Sequence, residues 1–172
     1  MKRFAEVSRA ERIKKILSQR RVDLVLVLEN LAEDQNISAI LRTAEGFGVG
    51  RIFIIYPEGK KPRLSNNISS GAIKWLEIKF YTSTEVCLEE LKKEGFKIYA
   101  TYVNPEAKSL WKTKFPGKVA LVVGNEAQGI SEEVIKFADK TIYLPMMGMT
   151  ESFNVSVAAA IFLYEVVRQK EG

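Results

Sequence analysis

Three segments of the chain carry polar residues of the types that could perform chemistry. They are residues 36–42 (NISAILR), 124–129 (GNEAQG) and 144–154 (LPMMGMTESFN). The chain has no histidine and a single cysteine, Cys87, so a zinc site and a Cys/His or Ser/His hydrolase are excluded. Any chemistry must therefore use arginine, lysine, carboxylate, hydroxyl, amide and backbone groups, which position a substrate and stabilise developing charge.

The second segment, residues 124–129, places two glycines beside the carboxylate of Glu126, directly after the apolar run 119–123. Glycine lets the backbone approach a ligand closely. The glycine spacing matches neither the dinucleotide fingerprint GxGxxG nor a phosphate-binding loop, so a nucleotide-dependent oxidoreductase or an ATPase is poorly supported. An ordinary strand-to-helix turn with a solvated Glu126 stays open as an alternative.

The third segment has three methionines within residues 146–149, next to Pro145. Thioethers and methylenes form an adaptable wall for a flat heteroaromatic ring, so we favour a pocket over core packing. Ser152 and Asn154 follow, and one of them is expected to cap the next helix. That helix has no clear polar face before Glu165, which indicates an internal helix or a contact with a second copy of the chain.

Arg42 stands within the otherwise apolar segment 36–45. An arginine there is costly unless it is paired or reaches a ligand. A guanidinium facing a cleft could bind a phosphate through two hydrogen bonds. A salt bridge to Glu45, three residues on, explains the residue equally well, and both interpretations stay open at this point.

The net charge of +5 is concentrated near the N-terminus, where residues 1–21 sum to +6. A basic block before a neutral body suggests a polyanionic partner, with nucleic acid as the first candidate. A second basic patch occurs at residues 60–63. A solvated surface is the alternative for both. The RNA-binding candidates are Arg9, Arg12, Lys15, Lys60, Lys61 and Arg63.

Strand-like and helix-like segments alternate along the chain. Strands are predicted at residues 23–28, 51–56, 76–81, 96–102, 118–123 and 141–144. Helices are predicted at residues 9–19, 83–94, 131–137 and 154–168, and from Asp34 or Asn36 to residue 47. This order predicts an α/β fold with a mainly parallel sheet and helices on both faces. Ligands bind beyond the carboxyl ends of such strands, so the three segments are expected to form one site.

The 172 residues predict a single domain at 23–172, preceded by a basic arm at 1–22. One cysteine permits no intramolecular disulfide, and the N-terminus lacks the apolar core of a signal peptide. The longest apolar stretch, residues 155–164, is half the length needed to span a bilayer. We therefore expect a cytoplasmic protein.

Together the three segments resemble the SPOUT class of RNA methyltransferases, in the SpoU/TrmH family, over nearly the whole chain. The motifs occur in order, as Asn36-x5-Arg42-Thr43, then Val123-Gly-Asn-Glu-x2-Gly129, then Leu144-Pro-Met-x-Gly-Met-x-x-Ser-Phe-Asn-Val-Ser156. The Pro-Met-x-Gly-Met form and the short N-terminal arm are most similar to the members that methylate the D-loop guanosine at position 18 of tRNA.

The resemblance implies an α/β deep trefoil knot, a homodimer and S-adenosylmethionine as cofactor, with no metal. It implies methyl transfer to a ribose 2′-hydroxyl of RNA, tRNA first. The alternatives are another tRNA or rRNA site, or a catalytically silent RNA-binding module on the same fold. By motif, the cofactor would contact Thr101, Gly124, Leu144 and Phe153, the last standing where the family usually has Leu.

Arg42 would act on the ribose 2′-hydroxyl, with support from Asn36, Glu126, Ser152 and Asn154. In the family proposal this arginine is the general base. Arginine is normally always protonated, so binding of a phosphate and stabilisation of the developing alkoxide are an equally consistent role. The sequence leaves both roles open.

Overall fold

The structure, a computed structural model, describes residues 8–57, 62 and 71–171, with Arg12 described by its backbone only. Seven strands and five α-helices form within these residues. The strands are β1 (Arg21–Glu29), β2 (Val49–Ile55), β3 (Glu77–Tyr81), β4 (Lys97–Thr101), β5 (Lys108–Ser109), β6 (Val119–Val123) and β7 (Lys140–Tyr143). The helices are α1 (Arg9–Ser18), α2 (Asp34–Gly46), α3 (Thr84–Lys93), α4 (Glu132–Phe137) and α5 (Val155–Glu171), with 3-10 helices at Ala72–Trp75 and Leu110–Lys112.

All strand pairs of the sheet are parallel, in the order β3-β2-β1-β6-β4-β7-β5. The continuous apolar runs of β1 and β6 lie at its centre, where Leu28 pairs with Val123 and residues 24–28 are fully buried. A strand covered on both faces needs such a run, so the predicted parallel sheet is confirmed. The trefoil knot stays an expectation of the resemblance.

Helices cover both faces of the sheet. Leu24, Leu26 and Leu28 pack with α2 and α5 in one core cluster. Val25 and Val27 point to the other face and pack with α3 and α4 in a second cluster. Because successive side chains of a strand point to opposite faces, β1 contributes to both cores.

Serine side chains cap the N-termini of three helices. Ser8 and Glu11 form a reciprocal capping box on α1, and the hydroxyls of Ser83 and Ser131 accept from the backbone of α3 and α4. The helix predicted to open at Asp34 or Asn36 begins at Asp34 and has no side-chain cap. The two-residue strand β5 is missing from the prediction. No helix in the described part of the chain is long and apolar enough to cross a membrane.

Candidate functional site

A cavity of about 510 Å³ opens at the carboxyl ends of β4, β6 and β7. This volume is typical of small-molecule sites, and the carboxyl edge of a parallel sheet is where such sites form. All four residues assigned to the cofactor by resemblance line it, namely Thr101, Gly124, Leu144 and Phe153. Glu126, Ser152 and Asn154 line it too, so the structure brings the second and third segments together.

The turn after β6 is held closed by its own backbone. Asn125 and Gly129 exchange two hydrogen bonds of 2.9 Å, and Gly129 has a φ of +73°. The Asn125 side chain accepts from the next two free N–H groups of the turn and donates to the carbonyl of Asn30 at 2.8 Å. A Cβ on Gly124 would overlap the Gly129 carbonyl. This glycine is therefore required by close backbone approach within the cavity wall.

Glu126 joins the first segment to the second. Its carboxylate accepts from the backbone N–H of Ala32 at 2.9 Å, the backbone N–H of Glu33 at 3.4 Å and Nδ2 of Asn36 at 2.9 Å. Partial burial raises the pKa of Glu126, but these hydrogen bonds outweigh it, and the pKa lies below its ordinary value. The side chain is therefore an ionised carboxylate at neutral pH, and its hydrogen bonds position the start of α2.

Asn36 connects that carboxylate to the third segment. Its Oδ1 accepts from Nδ2 of Asn154 at 3.1 Å. Oδ1 of Asn154 in turn accepts from the backbone N–H of Ser156 at 2.9 Å and from its hydroxyl at 2.6 Å. Asn154 thus caps α5, and Glu126, Asn36 and Asn154 form one hydrogen-bonded row across the three segments.

The methionine side chains of residues 146–149 lie partly in the cavity and partly on the surface. Met146 lines the cavity, as the pocket interpretation predicts. Met147 and Met149 point outward and are 82% and 103% exposed. Ser152 and Phe153 are also exposed on the cavity rim. The rim therefore combines apolar and polar side chains and is accessible to a ligand from solvent.

Arg42 does not line the cavity. It is exposed on α2, on the stripe that carries Gln35, Ala39 and Gly46. Its guanidinium forms no hydrogen bond or ion pair with any residue that the structure describes, so the alternative of a salt bridge to Glu45 is absent. Asn36, six residues earlier, is the residue of this helix that borders the site.

The candidate RNA-binding residues lie apart from the cavity or outside the described part. Arg9 and Lys15 are exposed on α1, which also carries Arg12. The three remaining candidates, Lys60, Lys61 and Arg63, lie outside the described residues.

Glu29 is a buried carboxylate that lies outside the three segments predicted to form the site. It is 3% exposed at the end of β1. It accepts from the backbone N–H of Ser131 at 2.8 Å, from the Ser131 hydroxyl at 2.6 Å and from the Thr84 hydroxyl at 3.1 Å. Glu29 therefore ties the starts of α3 and α4 to the edge that holds the cavity. In the sequence, the feature that distinguishes Glu29 is its position directly after the apolar run of residues 24–28.

The composition of the cavity suits an adenosine-containing cofactor. Ile142, Leu144 and Phe162 supply apolar walls, and Thr101, Asn125 and Ser152 add polar side chains to the lining. Such a combination of apolar walls and a few fixed polar groups is typical of cofactor sites. No group of three carboxylate or thiol side chains among the described residues could hold a metal ion.

The chain is similar to known RNA methyltransferases over almost its whole length. It is 39% identical over 163 residues to the tRNA (guanosine(18)-2′-O)-methyltransferase of Aquifex aeolicus, covering 95% of this chain and 77% of that protein. The enzyme of the same name from Thermus thermophilus is 37% identical, with 95% and 84% covered. The crystal structure of the A. aeolicus TrmH/SpoU tRNA-modifying enzyme superimposes with a TM-score of 0.89, covering 95% of this chain and 83% of that one.

The family model of the SpoU rRNA Methylase family matches residues 23–164. This range includes all three motifs and every described strand except the first two residues of β1. The resemblance drawn from the motifs is confirmed, and the chain belongs to the SpoU rRNA Methylase family.

Proposed function

We propose that this protein transfers a methyl group from S-adenosylmethionine to the 2′-hydroxyl of guanosine 18 in tRNA. The observation that carries the proposal is the hydrogen-bonded row of Glu126, Asn36 and Asn154 beside the cavity. The row unites the three motifs in a chain that is 39% identical to an enzyme named for this reaction.

Thr101, Gly124, Leu144 and Phe153 would hold the cofactor, which when bound supplies a methyl group on a sulfonium. Gly124 allows the backbone of its turn to close against Gly129, which shapes this wall of the cavity, and Ile142 and Phe162 line it with apolar surface. The chain's contribution is to hold the acceptor ribose in line with that methyl group, which by itself lowers the barrier substantially.

Glu126 acts in this proposal as a positioning group. Its carboxylate is ionised and already accepts three hydrogen bonds, so it is poorly placed to take a proton from a ribose. By holding Asn36 and the backbone of residues 32 and 33, it sets where α2 begins. Asn154 does the same for α5, and Ser152 is left on the rim to contact the substrate.

Arg42 acts on the reacting ribose and its phosphate. A guanidinium stays protonated, so we assign it to binding the phosphate and stabilising the developing alkoxide. It is free to do so because no described residue pairs with it. Six residues along a helix correspond to about 9 Å of axial rise from Asn36. The RNA would therefore lie along the exposed stripe of α2, reaching from Arg42 to the cavity rim.

The protein would work as a homodimer that uses α5. Val157 and Tyr164 are 46% and 55% exposed and, being seven residues apart, lie on one face of this helix. A second copy packed against this face would cover both apolar side chains. The double variant Val157→Glu, Tyr164→Glu should sediment as a monomer, whereas an unchanged sedimentation coefficient would contradict this interface.

The N-terminal segment would contribute affinity and not site choice. Arg9 and Lys15 are exposed on α1, as suits contacts with phosphates, which position RNA without reading its bases. Replacing Arg9, Arg12 and Lys15 with Gln should weaken tRNA binding and flatten its salt dependence. The methylated nucleotide should not change, and a shift in its position would contradict this role.

The direct test uses labelled S-adenosylmethionine, total tRNA and mapping of any 2′-O-methyl nucleotide. The proposal predicts label at guanosine 18. Label at a different tRNA or rRNA nucleotide would reassign the substrate, and cofactor binding without transfer to any RNA would favour a silent RNA-binding module.

A further inference from the structure

Trp111 is an exposed aromatic side chain at the edge of the sheet. It belongs to the 3-10 helix Leu110–Lys112, which follows the edge strand β5, and it is 67% exposed. Its ring makes no stacking contact and its indole N–H no hydrogen bond within the described part of the chain. Tryptophan is enriched at binding surfaces, because its large ring can stack on a partner while its N–H stays available for a hydrogen bond.

Lysines surround this tryptophan. Lys108, Lys112 and Lys114 are all exposed, and no acidic residue occurs from residue 107 to residue 125. None of the three ammonium groups forms an ion pair or hydrogen bond with a described residue. Lys114 interacts electrostatically with Glu165, but that carboxylate is already bound by Arg168 and Gln169. The patch is therefore positive, and Lys108 and Lys112 have no acidic partner among the described residues.

The backbone that carries these side chains is held in place by buried neighbours and by hydrogen bonds. Leu110 and Phe115 are buried in the core, and the hydroxyl of Thr113 donates to the carbonyl of Ser109 at 2.8 Å. Nε2 of Gln169 on α5 donates to the carbonyl of Thr113 at 2.9 Å. The buried and exposed residues interleave, so Trp111 is presented outward on a rigid base, which lowers the entropic cost of binding.

The patch lies beside the cavity. In the sheet, Lys108 pairs with Ile142 and Ser109 with Tyr143, and both partners line the cavity. Neighbouring strands are about 4.8 Å apart, so a polynucleotide with one ribose at the cavity rim has nucleotides within reach of this edge.

We propose that the edge patch, defined as Lys108, Trp111, Lys112 and Lys114, is an RNA-contact surface. Trp111 stacks on an unpaired base next to the target nucleotide, and the lysines neutralise the flanking phosphates. Every base offers a ring face to an aromatic side chain, and a positive groove tracks the backbone. The inference rests on the proposed RNA substrate but does not depend on methyl transfer. A second copy of the chain is the competing occupant, and the test separates it.

The test measures binding of fluorescein-labelled, unmodified tRNA by anisotropy and follows the emission of Trp111 in a Trp75→Phe background. Binding should quench Trp111. Trp111→Ala should weaken binding roughly 5- to 100-fold, and Trp111→Phe should recover most of the loss, because a phenyl ring still stacks. Replacing the three lysines with Gln should lower the slope of log Kd against log salt by about 2. The control is the double variant Lys97→Gln, Lys136→Gln, which removes two exposed lysines outside the patch. It should change neither the affinity for tRNA nor the salt slope by a comparable amount.

Three outcomes would overturn the inference. Unquenched Trp111 together with an unchanged Kd for Trp111→Ala would remove the stacking role while leaving the proposed function standing. A sedimentation coefficient that falls in Trp111→Ala would assign the patch to a contact between copies. Absence of any tRNA binding by the unmodified protein would overturn both this inference and the proposed function. Cofactor affinity and Tm should be unchanged in Trp111→Ala, which separates lost stacking from misfolding.

Discussion

The side-chain amide of Asn36 donates to the carboxylate of Glu126 at 2.9 Å, although 90 residues separate the two in the chain. The other end of the same amide accepts from Asn154, so its orientation is fixed from both sides. An amide carries a donor NH₂ and an acceptor oxygen on opposite sides, so it can donate to a carboxylate and accept from a second amide at once. Asparagine at this position of the first motif therefore joins the second and third segments through one side chain.

Asn36→Asp should be the most harmful conservative change in the row. It places a second carboxylate against Glu126 at neutral pH, and the repulsion raises the pKa of one member of the pair. We expect a loss of about 1–2 kcal/mol and a fall in Tm of roughly 2–8 °C at pH 7, measured by calorimetry. Because protonation relieves the repulsion, the deficit should shrink as the pH falls from 7 towards 4.5.

Asn36→Ala is the control for that prediction, since it removes both hydrogen bonds without adding charge. Its Tm deficit should not shrink over the same pH range. In the unmodified protein, the pKa of Glu126 is lowered on folding, so its contribution to stability is present above about pH 4.5 and is lost as the pH falls below. A deficit in Asn36→Asp that is independent of pH would contradict the like-charge explanation.

Gly124→Ala should disrupt the cavity wall. The added Cβ would overlap the carbonyl of Gly129, so the turn must open and lose its paired backbone hydrogen bonds. We expect S-adenosylmethionine affinity, measured by titration calorimetry, to fall at least roughly tenfold, together with a lower Tm. Gly46→Ala is the matched control, because nothing lies within 4 Å of its added Cβ and alanine favours a helix. Equal cofactor affinity in the two variants would contradict the close-approach argument.

Much of this architecture can be predicted from the sequence because it depends on residues that are close together in the chain. The runs that become β1 and β6 are apolar throughout, and the serines that cap α1, α3 and α4 stand directly before their helices. The convergence of the three segments follows from one rule, that parallel strands end at a common edge. The predicted cofactor residues accordingly line a single cavity.

The remaining features depend on contacts between distant segments. Two residues of β5 are too few to show a hydrophobic period, and the position of β6 between β1 and β4 is set by packing alone. The rotation of α2 decides that Asn36 faces the site while Arg42 faces solvent, and the core fixes that rotation. The role of Glu29 cannot be read from its neighbours in the sequence, because its partners, Ser131 and Thr84, lie far away in the chain.

Glu29→Gln should destabilise the protein strongly. The amide that replaces one carboxylate oxygen is a donor, and it would face hydroxyl and N–H groups that now donate to Glu29. Losing charged, buried hydrogen bonds costs about 2–3 kcal/mol, or a Tm roughly 5–10 °C lower. Glu33→Gln, an exposed carboxylate of the same connection, should leave the Tm within about 1 °C. Equal melting of the two variants would show that Glu29 is not an anchor.

Arg42→Ala and Arg42→Lys should both lose more than roughly a hundredfold in turnover, because an ammonium cannot reproduce the planar guanidinium. S-adenosylmethionine should still bind, since Arg42 does not line the cavity. The Tm should also hold, because the side chain is exposed and has no partner among the described residues. Glu45→Gln is the control and should keep its turnover. Near-normal turnover in Arg42→Lys would contradict the assigned role.

The central claim is methyl transfer to one ribose oxygen, and a pair of tRNA transcripts that differ at that atom tests it. One transcript carries guanosine at position 18 and the other 2′-deoxyguanosine, with every other nucleotide the same. Incubated with labelled S-adenosylmethionine, the first should accept one methyl group per molecule and the second none, while both bind the protein with similar affinity. Equal labelling of the two transcripts would contradict the account, as would no labelling of either despite binding.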